Sequence, residues 1–86
     1  MARYSLEITR TAEKQLRKLP ADARRRVARA MVALGDDPYP PGSRKLMGHD
    51  DVFRIRAGVY RLIYSVSGRR LVIIILKIRH RKDVYR

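Results

Sequence analysis

Arginine falls at alternate positions in FRIR, as Arg54 and Arg56, and again as Arg61 in VYRLIYSV. Guanidinium groups at every second position of a strand leave from one face, and each fork can hold two oxygens of a phosphate. The closing stretch KIRHRKDVYR adds Lys77, Arg79, Arg81, Lys82 and Arg86 around two proton-transfer groups, His80 and Tyr85. Cleavage of RNA by its own 2′-hydroxyl needs a group that takes the hydroxyl proton and another that protonates the departing 5′-oxygen. It also needs cations to hold the charge that builds at phosphorus. All these kinds of side chain occur in the C-terminal half of the chain. Composition alone also fits simpler roles: arginines that guard a sheet edge against unwanted pairing, a structural or exposed histidine, and a solvated basic tail.

The chain has 86 residues, enough for one domain, and 45% of them are hydrophobic, enough for one core. With no cysteine, disulfides and thiolate chemistry are excluded. Two histidines, His49 and His80, set no metal-ligand spacing. Asp50 and Asp51 beside His49 read as turn residues that bond their own backbone, so neither a metal nor a cofactor is expected. The 21 Lys and Arg against 8 Asp and Glu leave a formal charge of +13, which calls for a polyanion or an acidic protein as partner. LVIIIL is far too short to cross a bilayer as a helix, and no apolar N-terminal region precedes a cleavage signal. A cytoplasmic protein with no membrane contact is therefore expected.

Positioning the cations requires a scaffold, and the hydrophobic pattern supplies one. YSLEIT alternates Tyr4, Leu6 and Ile8 with polar residues, as a half-buried strand does. Thr9 or Thr11 can cap a helix bearing Ala12, Leu16 and Leu19, and Pro20 suits the first turn of a second helix with the stripe Ala23, Val27, Met31 and Leu34. The cations of these helices, Lys14 and Arg29 among them, read as solvated faces. Gly35 to Pro38 ends the second helix, and DPYPPGS is the one sizeable connection. From there the period changes to two. VFRIR places Phe53 and Ile55 opposite Arg54 and Arg56, and Gly58 breaks the run. VYRLIYSV places Tyr60, Leu62, Tyr64 and Val66 on one face with Arg61 and Ile63 on the other, Gly68 supports a hairpin, and LVIIIL follows as a buried strand. The order predicts an α+β domain with an N-terminal strand, two packed helices and an antiparallel three-strand meander. Two helices cover one sheet face, which leaves Ile63, Ile73 and Ile75 to serve either a smaller core or a protein interface.

The segments RKLMGHDDVFRIRAGVYRLIYSV and VIIILKIRHRKDVYR, together with TAEKQLRKLP, resemble the RelE/ParE toxin superfamily, and within it the RelE-like messenger-RNA interferases. The resemblance spans nearly the whole chain and implies a single domain with a curved sheet. It implies the toxin of a type II toxin-antitoxin pair: a metal-independent endoribonuclease that cuts mRNA in the A site of the 70S ribosome by 2′-hydroxyl attack. It also implies an acidic antitoxin as partner and an operator-DNA complex formed through that antitoxin. On this sequence the implied catalytic residues are Arg61, Arg81, Tyr85 and His80. Arg54, Arg56, Lys45, Lys77 and Lys82 are expected to bind RNA phosphates. Arg79 stands where many relatives have glycine. The alternative within the superfamily is a ParE-like toxin that inhibits DNA gyrase by binding it, without nuclease chemistry.

Overall fold

The computed structural model describes residues 3–82, and within them strand alternation sorts side chains between a helix-covered sheet face and an open one. Strand β1 (Ser5–Ile8) leads into helix α1 (Arg10–Arg17) and helix α2 (Ala21–Asp36). A two-residue strand β2 (Arg44–Lys45) precedes β3 (Val52–Ala57), β4 (Tyr60–Ser67) and β5 (Val72–His80). The sheet order is β1-β5-β4-β3-β2; β1 runs parallel to β5 and the other neighbours are antiparallel. The helices thus carry the chain from one sheet edge to the other, and the meander returns until β5 meets β1. This is the expected α+β order with β2 added, a strand too short for alternation to reveal.

Local chemistry explains the helix boundaries. Thr9 caps α1, its Oγ1 accepting from the Ala12 N–H at 3.1 Å. Helix α2 starts after Pro20, whose carbonyl accepts from Arg24 N–H at 2.8 Å, and Asp22 in its first turn complements the positive end of the helix. The expected stripe of α2 is its buried face: Val27, Met31 and Leu34 close on Leu62, Tyr64 and Val66 of β4 and on Ile73, Ile75 and Ile78 of β5. Ala12 joins them from α1. Burying a large aliphatic side chain in such a core is worth about 1.5–3 kcal/mol, so this layer holds the sheet rigid from one side.

One irregularity decides what the open face presents. Tyr64 pairs with Ile75, but Ile63 pairs with Lys77, so Leu76 is an extra residue in β5. A bulge of this kind reverses the facing of everything after it. Before it, Ile73 and Ile75 point to the helices; after it, Ile78 does so, and Lys77 and Arg79 turn to the open face. Helix α1 secures the bulge from the flank: the Thr9 hydroxyl donates to the Leu76 carbonyl at 2.9 Å, and Gln15 Oε1 accepts from Ile78 N–H at 2.7 Å. The three isoleucines grouped in the sequence therefore divide. Ile73 and Ile75 are fully buried core residues, whereas Ile63 lies on the open face beside Arg54 and Lys77.

Tyr64 ties the long connection to this core. Its hydroxyl donates to the Pro38 carbonyl at 2.7 Å. Its ring stacks on Phe53, which in turn meets Tyr39 edge-on at 5.0 Å. Burial pushes the Tyr64 phenol up to about 12, against a smaller lowering by the Ser43 side chain. The loop that approaches the open face is thereby anchored from below.

Candidate active site

The cations of the open face are set side by side by strand register. The β3–β4 hairpin turns through Gly58 and Val59. Gly58 has φ +65°, a conformation that glycine adopts without the steric cost of a side chain. That tight turn places Arg56 directly opposite Arg61 and Arg54 opposite Ile63. On the other side of β4, Arg61 faces Arg79 and Ile63 faces Lys77. Strand β2 extends the face by setting Arg44 opposite Arg54. Two rows result: Arg56, Arg61 and Arg79 in one, and Arg44, Arg54, Ile63 and Lys77 in the other.

Hydrogen-bond alternation fixes the spacing. Val66 N–H donates to the Asp51 carbonyl and Arg81 N–H to the Val59 carbonyl. Counting by twos from these bonds, Arg56 and Arg61 form a close, non-hydrogen-bonded pair, with Cα atoms about 4.5 Å apart. Arg61 and Arg79 form a hydrogen-bonded pair at about 5.5 Å. Gly42, Arg44, Arg54, Ile55, Arg56 and Arg61 line a recess of about 150 Å³ on this face. Within it the Arg61 Nε is buried and has no hydrogen-bond partner. A buried donor without an acceptor costs about 1–3 kcal/mol, and an anionic oxygen in the recess would remove that cost.

The electrostatics point the same way. The two ion pairs among the described residues, Arg17 with Glu13 and Arg25 with Asp22, both lie on the helices. Like charges directly opposite each other across strands are destabilising, and here Arg44/Arg54, Arg56/Arg61 and Arg61/Arg79 are three such pairs. Arginines placed in this way are suited to an anion that bridges them. No group of three His, Cys, Asp or Glu residues able to hold a metal occurs among the described residues.

Of the residues singled out from sequence, Arg54, Arg56, Arg61 and Lys77 share the open face. Lys45 does not: it pairs with Phe53 and belongs to the opposite parity, and Arg44 takes the place beside Arg54. His80 is likewise across the sheet from Arg61. It pairs with Tyr60, and the two rings meet edge-on at 5.3 Å on the helix side. Its Nδ1 accepts from Lys82 N–H at 3.1 Å. Arg81 and Lys82 are exposed just past β5, with Arg81 tied through its N–H to the hairpin carbonyl of Val59 at 2.7 Å. Tyr85 lies outside the described residues. The two cations that sequence reasoning passed over, Arg44 and Arg79, differ by one position from Lys45 and His80, which it chose. In a two-residue strand and beyond a bulge, parity cannot be counted from sequence.

Comparison with known proteins agrees with this architecture. Residues 6–85 match the family described as the ParE toxin of type II toxin-antitoxin system, parDE. Toxin RelG of Mycobacterium tuberculosis is 36% identical over 91 residues, covering 96% of this chain and 97% of its own. The mRNA interferase toxin RelE of Escherichia coli is 30% identical over 86 residues, covering 95% of this chain and 90% of its own. Among solved structures, the archaeal RelE–RelB complex from Pyrococcus horikoshii contains a chain that superposes with a TM-score of 0.82. That chain is 36% identical, and the match covers 92% of this chain and 96% of that one. The chain belongs to the RelE/ParE superfamily and is a RelE-family toxin of a toxin-antitoxin system.

Proposed function

We propose that the protein is an mRNA interferase, a metal-independent endoribonuclease that cuts messenger RNA in the ribosomal A site. The observation that carries this reading is the guanidinium cluster around the unpartnered Arg61 Nε, a receptor for a phosphodiester in both its ground and its more charged transition state. In this scheme Arg61 holds the scissile phosphate, with Arg54, Arg56 and Arg44 supporting it and Arg81 reaching it from the exit of β5. The ribose 2′-oxygen attacks phosphorus and the bond to the 5′-oxygen breaks, leaving a 2′,3′-cyclic phosphate and a 5′-hydroxyl. Tyr85 takes the 2′-hydroxyl proton, and water supplies the proton that the departing 5′-oxygen requires. His80, on the other sheet face, acts as a positioning residue: its ring packs on Tyr60 and its Nδ1 holds the backbone at Lys82, which orients Arg81.

The name mRNA interferase carried by the Escherichia coli relative supports the same reading, and the complexes of structural relatives with RelB support an antitoxin partner here. The test is to add the antitoxin-free protein to translating ribosomes and to a gyrase supercoiling assay in parallel. Cuts within the A-site codon are expected. Intact RNA with inhibited supercoiling would assign the protein to gyrase instead.

A further inference from the structure

The row formed by Arg56, Arg61 and Arg79 is longer than a single phosphate requires. Its ends are about 10 Å apart by strand spacing, while one phosphate gripped by two guanidinium forks occupies only the gap between neighbours. Arg61 is the middle member, and its Nε is buried and unpartnered. Arg79 is exposed at the β5 end of the row.

We propose that Arg79 forms a second phosphate subsite beside Arg61, so that the row holds two successive phosphates of one RNA strand. The proposal rests on the nuclease function proposed above and extends it from the scissile phosphate to a neighbouring one. Three observations carry it. Arg79 is directly opposite Arg61, a like-charge pair that lowers stability in the free protein and that an anion between them would relieve. Lys77 stands on the same face one pair further along β5, so the subsite has a second cation. The Leu76 bulge, held by Thr9 and Gln15, is what turns Arg79 to this face; without it Arg79 would point toward the helices and His80 toward the RNA. An acidic protein segment is the competing occupant. The flat, closely spaced guanidinium row favours the phosphate chain, whose charges recur along a flexible backbone without side chains to accommodate.

The test measures binding of a single-stranded RNA that carries 2′-O-methyl groups throughout and so cannot be cut. Affinity is followed over a salt series by fluorescence anisotropy. The full chain is compared with Arg79→Ala, Arg79→Lys and Arg29→Ala; the last removes the same charge from an exposed position on α2. For Arg79→Ala the slope of log affinity against log salt should fall by about 0.7, the loss of one phosphate contact on a single strand. Arg79→Lys should keep the slope but bind more weakly, and Arg29→Ala should match the parent. Arg79→Gln keeps the aliphatic stem and a polar end without the charge, and replaces the alanine variant should circular dichroism show that the latter alters the fold. An unchanged slope in Arg79→Ala, with A-site cleavage by the parent intact, overturns the subsite and leaves the nuclease function standing. A lost contact with no cleavage by the parent does the reverse. No RNA binding by the parent, together with Arg79-dependent binding of a glutamate-rich peptide, overturns the RNA subsite in favour of a protein occupant.

Discussion

Arg61 combines two costs that one bound anion would remove together: an orphaned buried Nε and like-charge neighbours on both sides. Replacing it by alanine is expected to lower cleavage by about 100-fold or more, the usual effect of losing a group that stabilises transition-state charge. Lysine should rescue little, because a point charge cannot replace the fork. Thermal denaturation of the alanine variant should show a midpoint equal to or above that of the parent, since a repelling neighbour has been removed. A large fall in midpoint would mean that Arg61 is structural. Tyr64 makes a different prediction at the same scale. The folded chain keeps the phenol proton up to about pH 12 while the unfolded chain releases it near the ordinary value of 10. The folded state therefore binds more protons between these values, and stability falls as pH rises through that window and is insensitive to Tyr64 below it. Tyr64→Phe should lose about 1–2 kcal/mol at neutral pH, because the Pro38 carbonyl loses its donor. It should also flatten the alkaline decline in urea-denaturation midpoints. An alkaline decline of equal steepness in the variant would contradict the assignment.

At the scale of elements, the β5 bulge and its flanking helix position the site. Gln15→Leu removes the acceptor of the Ile78 N–H, which should cost about 1–3 kcal/mol. It should also reduce cleavage by more than the unfolded fraction explains, measured at a temperature where circular dichroism shows the variant folded. Cleavage that tracks the folded fraction would mean that the bulge needs no support from α1. The same bulge marks where the sequence stops being legible. The helix stripes and the facing of β3 and β4 follow from periodicity, and with them the shared face of Arg54, Arg56 and Arg61; Thr9 and Thr11 are both possible caps in the sequence, and the fold uses Thr9. LVIIIL is apolar on both faces and conceals both its parity and the extra residue Leu76, so the facing of Ile73, Ile75, Arg79 and His80 could not be counted. The parallel pairing of β1 with β5 is long-range and leaves no local mark.

For the whole molecule, the division of labour follows from the one-sided helix layer. One sheet face is sealed by α1 and α2, and the other carries a concentrated positive field on a chain of formal charge +13. An acidic antitoxin expressed with the toxin is expected to neutralise this field. Partly buried Ile63 among the cations gives it an apolar contact as well as charge to match. Co-purification should then persist at about 1 M salt, where the Debye length is only about 3 Å; dissociation at that salt would mean that charge alone holds the pair. The central claim is that this field and the Arg61 recess cut RNA. Mapping message 5′ ends after adding the free protein to translating ribosomes tests it most directly. New 5′-hydroxyl ends within the A-site codon are expected, and they should vanish with Arg61→Ala. Full cleavage by that variant, or an uncut message beside inhibited gyrase, would contradict it.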